Sequence, residues 1–143
     1  TSPGFIVHAT RDPVGANLDR IQIVKGWIDA GGETHEKVFD VAWGGEDRLQ
    51  PDGSLAPVGD TVDRASAAYT NDIGEPLLIT AWSDPEFDAG QSAFYYARVL
   101  QIPTPRHSLY DAIALQRDSA DDQPDTIQER AYTSPIWYHP LAQ

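Results

Sequence analysis

The chain contains no cysteine and no methionine, and only ten lysines and arginines stand against 22 aspartates and glutamates in its 143 residues. Without cysteine there is no disulfide, no thiolate metal site and no cysteine nucleophile, although the redox compartment stays open. Without methionine, Thr1 is not a translation start, and the expectation is a segment processed or excised from a longer polypeptide. The formal net charge of −12 argues against a phosphate-backbone partner, which requires clustered cations. No apolar run approaches the ~18–20 residues of a membrane-spanning helix, and no signal-peptide pattern opens the chain. The expectation is no nucleic acid and no membrane as partner, with any targeting segment encoded upstream.

What is present suffices for a core. Hydrophobic residues make up 41% of the chain, and a domain of this length removes roughly two-thirds of its unfolded surface from water. The periodicity reads mostly as strand. Between Gly4 and Arg11, Phe5, Val7 and Ala9 alternate with Ile6, His8 and Thr10, as in an edge or first strand. Arg20–Asp29 is apolar on both parities, with Gly26 marking a bulge or a close backbone approach. Ala30-Gly31-Gly32-Glu33 supplies a tight reversal, and Lys37–Trp43 alternates cleanly, so the two segments read as a hairpin.

From Gly44 to Asp63 glycine, proline and acids dominate, and so long a connection either covers something or moves. Ala65–Thr70 reads as a short strand, Leu77–Trp82 and Ala93–Ile102 as longer ones, and Pro103-Thr104-Pro105 as a strand terminator. Ser108–Leu115 reads as the helix, with Ser108 and Asp111 spaced as in a capping box. An acidic loop, Gln116–Asp125, precedes a last strand near Thr126–Tyr138, which Pro135 interrupts. About seven short strands and one short helix predict an all-β fold, an antiparallel β-sandwich-like single domain over residues 1–143.

The double-sided apolarity of Arg20–Asp29, Leu77–Trp82 and Ala93–Ile102 is unusual for a two-layer sandwich, whose strands bury one face and wet the other. Either loops and the helix cover these strands, or a sheet face rests on another domain or another copy of the chain.

Catalytic signals are weak. His8, His35, His107 and His139 are scattered without metal-ligand spacing. Arg106, His107, Ser108 and Asp111 place an anion clamp, an imidazole and a carboxylate within one turn, which suits acid–base work in an independent hydrolase and equally suits a polar helix start. Gly31-Gly32 and Gly44-Gly45 lack phosphate-loop spacing. The acidic runs Asp84–Asp88 and Asp118–Asp122 do not fit the EF-hand register and read as solvated loops. Trp27, Trp43, Trp82 and Trp137, with Tyr95 and Tyr96, are candidates for a sugar-stacking platform in a stand-alone glycan-binding module, although core packing is their ordinary use. No residue is therefore assigned as catalytic, cofactor-binding or metal-ligating.

Four stretches carry a family resemblance. They are Thr10-Arg11-Asp12-Pro13, Gly15 through Trp27, Phe94 through Arg106, and Glu129 through Tyr138. They resemble the C-terminal part of a bacterial family known as domain of unknown function 3604, and the likeness runs nearly end to end. The resemblance implies a longer, exported protein, periplasmic or secreted. It also implies an upstream region similar to the polymerase and histidinol phosphatase class of metal-dependent hydrolases, whose His and Asp ligands would hold a divalent metal. No such motif is present in this chain, so no catalytic residue carries over. The expected partner is that upstream domain, with this chain as a non-catalytic C-terminal β-domain and with Arg106 and His107 as candidates to border the upstream site.

Overall fold

The computed structural model describes residues 2–118 and 123–140. The Ser119, Ala120, Asp121 and Asp122 part of the second acidic run lies outside the described residues. The fold is mainly β, built from antiparallel sheets with one short helix. Strands β1 (Gly4–Thr10), β2 (Leu18–Ile28) and β3 (Thr34–Trp43) are followed by β4 (Leu77–Ser83) and β5 (Ala93–Gln101). After β6 (Thr104–Pro105) come α1 (His107–Ala114), β7 (Thr126–Ile127), β8 (Arg130–Tyr132) and β9 (Ile136–Tyr138).

The larger sheet has the order β3-β2-β5, and β8 and β9 share the far edge of β5 as one interrupted strand. The expected break at Pro135 thus becomes a bulge at which the Thr133 amide still donates to the Ala97 carbonyl and the Ala97 amide donates to Thr133 Oγ1. The second layer is a two-stranded ribbon of β1 and β4, paired from Gly4↔Ser83 to Thr10↔Leu77. Its inner side chains, Phe5, Val7, Leu78 and Trp82, meet Ile21, Ile23 and Tyr95 of the larger sheet. This is the sandwich core, and burial of such side chains contributes about 1.5–3 kcal/mol each.

The other face of the larger sheet explains why β2 is apolar on both parities. Phe94 lies across Gly26, where a Cβ would overlap its ring, so the absence of a side chain admits an aromatic cover. Val24, paired with Tyr96, is fully buried on the same face.

The long connection after β3 covers rather than hangs free. Arg48 is buried, and its guanidinium donates to Asp19 Oδ1 at 2.6 Å, the Gly44 carbonyl at 2.6 Å and the Ala56 carbonyl at 2.9 Å. Asp19 also accepts from Arg20 and from Gln128, tying three distant segments together.

Two local expectations are corrected. The Ala65–Thr70 segment is not a strand but a turn closed by an Asp63↔Ala68 bridge, with Ala67 at positive φ. The Pro103-Thr104-Pro105 terminator holds, since β5 stops at Gln101, and Pro105 then pairs with Thr126 in a separate two-residue ribbon where no donor is asked of it. The helix lacks the expected capping box. Arg106 is the N-cap without a side-chain cap, and Ser108 Oγ donates instead to the Pro124 carbonyl at 2.9 Å, because the returning 123–125 segment lies against the helix start.

Candidate functional site

Two uncovered apolar surfaces stand out, on different layers. Alternation along β1 and β4 turns Ile6, His8, Ile79 and Ala81 to the outer face of the ribbon, with Leu77 at its end. Ile6 is 81% exposed, Ile79 60% and Leu77 46%. This is the face where double-sided apolarity is not satisfied among the described residues. On β2 and β5 the second face is covered by the aromatic rings that cross it.

The second surface lies on the β8–β9 edge of the larger sheet. Phe94 and Tyr96 are nearly parallel, 6° apart with centroids 6.4 Å apart. Trp137 leans over Phe94 at 5.2 Å and 50°, and Tyr132 over Tyr96 at 6.1 Å and 45°. Trp137 is 63% exposed and Tyr132 57%. These four rings, with Thr133 and Pro135, enclose a shallow cleft of about 340 Å³. Beside it runs a polar row across the strands. Arg98, in register with Tyr132, donates to Gln22 Oε1 at 2.7 Å, and Gln22 donates to Asp40 at 2.8 Å.

Of the aromatic residues expected as a platform, only Trp137 and Tyr96 meet here. Tyr95 is buried, Trp82 packs against Phe5 and Phe39, and Trp27 stacks on His35. Phe94 and Tyr132 were not singled out by sequence, although both lie within the strands that carry the other rings.

His107, Ser108 and Asp111 form one wall of an open cleft of about 390 Å³ on α1, opposite Arg117 and Gln123, and Arg106 is not part of its lining. Arg106 is held by Gln123 at 3.0 Å, and Ser108 is spent on Pro124. His107 and Asp111 are exposed, and no hydrogen bond joins them among the described residues. Proximity in sequence does not here produce the base–orienter geometry that acid–base work requires.

Pairing of β2 with β3 gathers a trio that spacing alone did not reveal. Asp29, Glu33 and His35 present donor atoms within 4.8 Å of one another at the hairpin tip. Asp29 Oδ1 accepts from the Gly31 and Glu33 amides, and Oδ2 meets His35 Nε2 at 2.7 Å. The His35 contact first, and then the Glu33 and Gly31 amides, hold the Asp29 carboxyl below its ordinary value. All of this serves the turn, and the donor set is a poor match for the several His and Asp ligands that the resemblance places upstream.

One titratable cluster is sealed inside the sandwich. Lys25 Nζ meets Asp84 Oδ2 at 2.6 Å and the Glu86 carbonyl at 2.8 Å, while the Tyr95 hydroxyl donates to Asp84 Oδ2 at 2.8 Å. Burial pushes the Asp84 carboxyl up, but the Lys25 ammonium, the Glu86 amide and the Tyr95 hydroxyl together outweigh it and hold the carboxyl below its ordinary range. Burial and the Asp84 carboxylate push the Tyr95 phenol well above its ordinary value. With all three side chains buried, the cluster fastens layers and meets no substrate.

A family model described as "Protein of unknown function (DUF3604)" matches residues 1–140. The chain belongs to this family. No curated protein and no solved structure matches it. No helix among the described residues is long and apolar enough to cross a membrane.

Proposed function

We propose that this member of the family is a non-catalytic β-module that packs on a metal-dependent, phosphatase- or sulfatase-like hydrolase domain encoded upstream, in a periplasmic or secreted bacterial protein. The reading is supported by the outer face of the β1–β4 ribbon, where Ile6, Ile79 and Leu77 are exposed with no layer over them among the described residues. A contiguous aliphatic face of this kind gains about 25 cal/mol per Å² when another surface covers it. The divalent metal belongs, on this reading, to the upstream domain. Arg106 and His107 stand after the rigid Pro103–Pro105 segment and are the residues of this chain offered to its border.

The test uses the complete protein. Cooperative docking predicts one coupled thermal transition, which separates into two in the Ile6→Asp, Ile79→Asp variant while the metal content stays the same. Two independent transitions in the unaltered protein would overturn the reading. If the Ile6 face instead closes on a second copy, association of this chain alone depends on its concentration and is lost in the same variant. Replacing Arg106 and His107 by Ala lowers kcat/KM if they border the site, and unchanged kcat/KM removes them from it.

A second reading, a glycan-binding module, is favoured by the Trp137–Tyr132 cleft. Exposed π faces suit the C–H faces of a pyranose, and the Arg98–Gln22–Asp40 row supplies hydrogen-bonding groups alongside. Oligosaccharides should then raise the melting temperature and alter tryptophan emission, and Trp137→Ala should abolish both effects. The absence of any shift across a panel of neutral and anionic oligosaccharides would dispose of this reading.

A further inference from the structure

The free edge of β1 carries unsatisfied backbone groups above an apolar slot. Among the described residues β1 pairs with β4 alone. Just past their ladder, the Arg11 amide donates to the Pro76 carbonyl at 3.0 Å. Alternate residues of an antiparallel strand turn their N–H and C=O to the same side, so Phe5, Val7 and Ala9 face β4. Gly4, Ile6, His8 and Thr10 therefore direct theirs to the open edge, and none of these groups finds a partner among the described residues.

Between that edge and the β8–β9 strand runs a slot. Its Gly4 end is a groove of about 400 Å³ lined by Phe5, Val7, Ala97 and Ile136, and its Thr10 end is another of about 400 Å³ beside Val99. His8 borders both, so the two are continuous along β1.

Only an extended peptide offers N–H and C=O groups at the spacing that such an edge demands, about 4.7–4.9 Å from the neighbouring strand. The slot has a second wall, from Thr133 to Ile136. A lone strand fits between the walls, whereas the edge of a second folded sheet would bring its own packed layer against that wall. At one mouth Arg11 and Arg130 offset Asp12 and Glu129. The charge that governs approach is then the net −12 of the whole chain, which disfavours an acidic guest.

We propose that this slot binds one extended segment of another polypeptide, free of acidic residues and apolar at every second position, which joins β1 as a third strand of the ribbon and lays its apolar side chains over Ala97 and Val99. This goes beyond the docking reading. It uses the edge of the ribbon and not its outer face, and it holds or fails without Ile79.

The test measures amide exchange by NMR on the whole chain. The probe is a capped peptide of about nine residues alternating valine with lysine or threonine, and the control is its fully N-methylated counterpart. The peptide should slow exchange at Ile6, His8 and Thr10 by about tenfold or more, and the control should have no effect. Ala97→Leu fills the slot and should abolish the protection. Ile6→Pro removes an edge donor that the fold does not use and should do the same with the thermal transition retained, which carries the test if Ala97→Leu fails to fold. The proposal is overturned by unchanged exchange at millimolar peptide, or by equal slowing along the open edges of β3 and β8–β9. It also fails if protection appears without peptide and grows with protein concentration, since a second copy would then be the occupant.

Discussion

The outer face of the β1–β4 ribbon and the β8–β9 edge are both apolar and both open to water, yet they are made differently. The ribbon presents aliphatic side chains on a two-stranded face and is fastened to the larger sheet through side chains, above all the Lys25–Asp84–Tyr95 cluster. The β8–β9 edge presents aromatic rings and is fastened through backbone pairing with β5, its rings resting on other rings. Aliphatic surface is non-directional and gains in proportion to area, which suits a broad neighbour. Aromatic walls beside a polar row impose orientation, which suits a ligand.

The contrast in fastening breaks first at Asp84. Asp84→Ala leaves the Lys25 ammonium buried without its counter-charge and should cost about 3–5 kcal/mol, read from the urea midpoint. The Lys25→Met, Asp84→Asn pair should recover more than half of that loss, because no bare charge then remains inside. If the single and double variants are equally unstable, the ribbon is held by packing alone.

The aromatic side has its own weak point at Gly26. Gly26→Ala forces the Phe94 ring off the sheet, at about 1–3 kcal/mol, and should shift Trp137 emission through the contact between the two rings. Adding Phe94→Leu should restore stability but not the emission. A Gly26→Ala protein as stable as the parent would mean that the ring is not anchored where the fold places it.

Acid should separate the two regions next. The folded-state value of Asp84 lies below its unfolded one, so its contribution is whole above about pH 4 and is lost as pH falls through the folded value. Tyr95 is shifted upward, so its contribution is whole below about pH 10 and is lost as pH rises beyond that. Urea midpoints of the parent should therefore fall more steeply below pH 4 than those of Asp84→Asn. Parallel curves would uncouple the carboxylate from stability.

The smallest effects distinguish the surfaces themselves. Ile79→Ser touches an uncovered side chain and should change stability by less than about 0.5 kcal/mol. Trp137→Ala removes a ring contact and should cost about 0.5–1.5 kcal/mol. If Ile79→Ser proves the more damaging, the ribbon face is covered within this chain after all.

Much of the architecture was legible locally. The β2–β3 hairpin followed from alternation around Gly31-Gly32, and the mainly-β class followed from strand-length periods between turns. The capping box at Ser108 misled because its hydroxyl is taken by Pro124, sixteen residues away, a competition that no local pattern contains. The strand expected at Ala65–Thr70 failed for a related reason. Its Ala67 packs under α1 with Val62 and Leu109, and the Asp63 carboxylate accepts from the Ala65 amide and the Ser66 hydroxyl, so that a turn replaces the strand. The candidate surfaces were half legible: apolarity on two faces was visible, but not which face a neighbour would cover.

Alternation and turn chemistry act over a few residues, so the sequence by itself determined where strands run, where they reverse, and that too much apolar surface exists for one two-layer sandwich. Partnership across the layers depends on contacts between residues tens of positions apart, and only the tertiary structure decided it. Phe94 closes over Gly26 while Ile79 finds nothing above it among the described residues, because six residues pair on the larger sheet's edge and the ribbon stops at two strands.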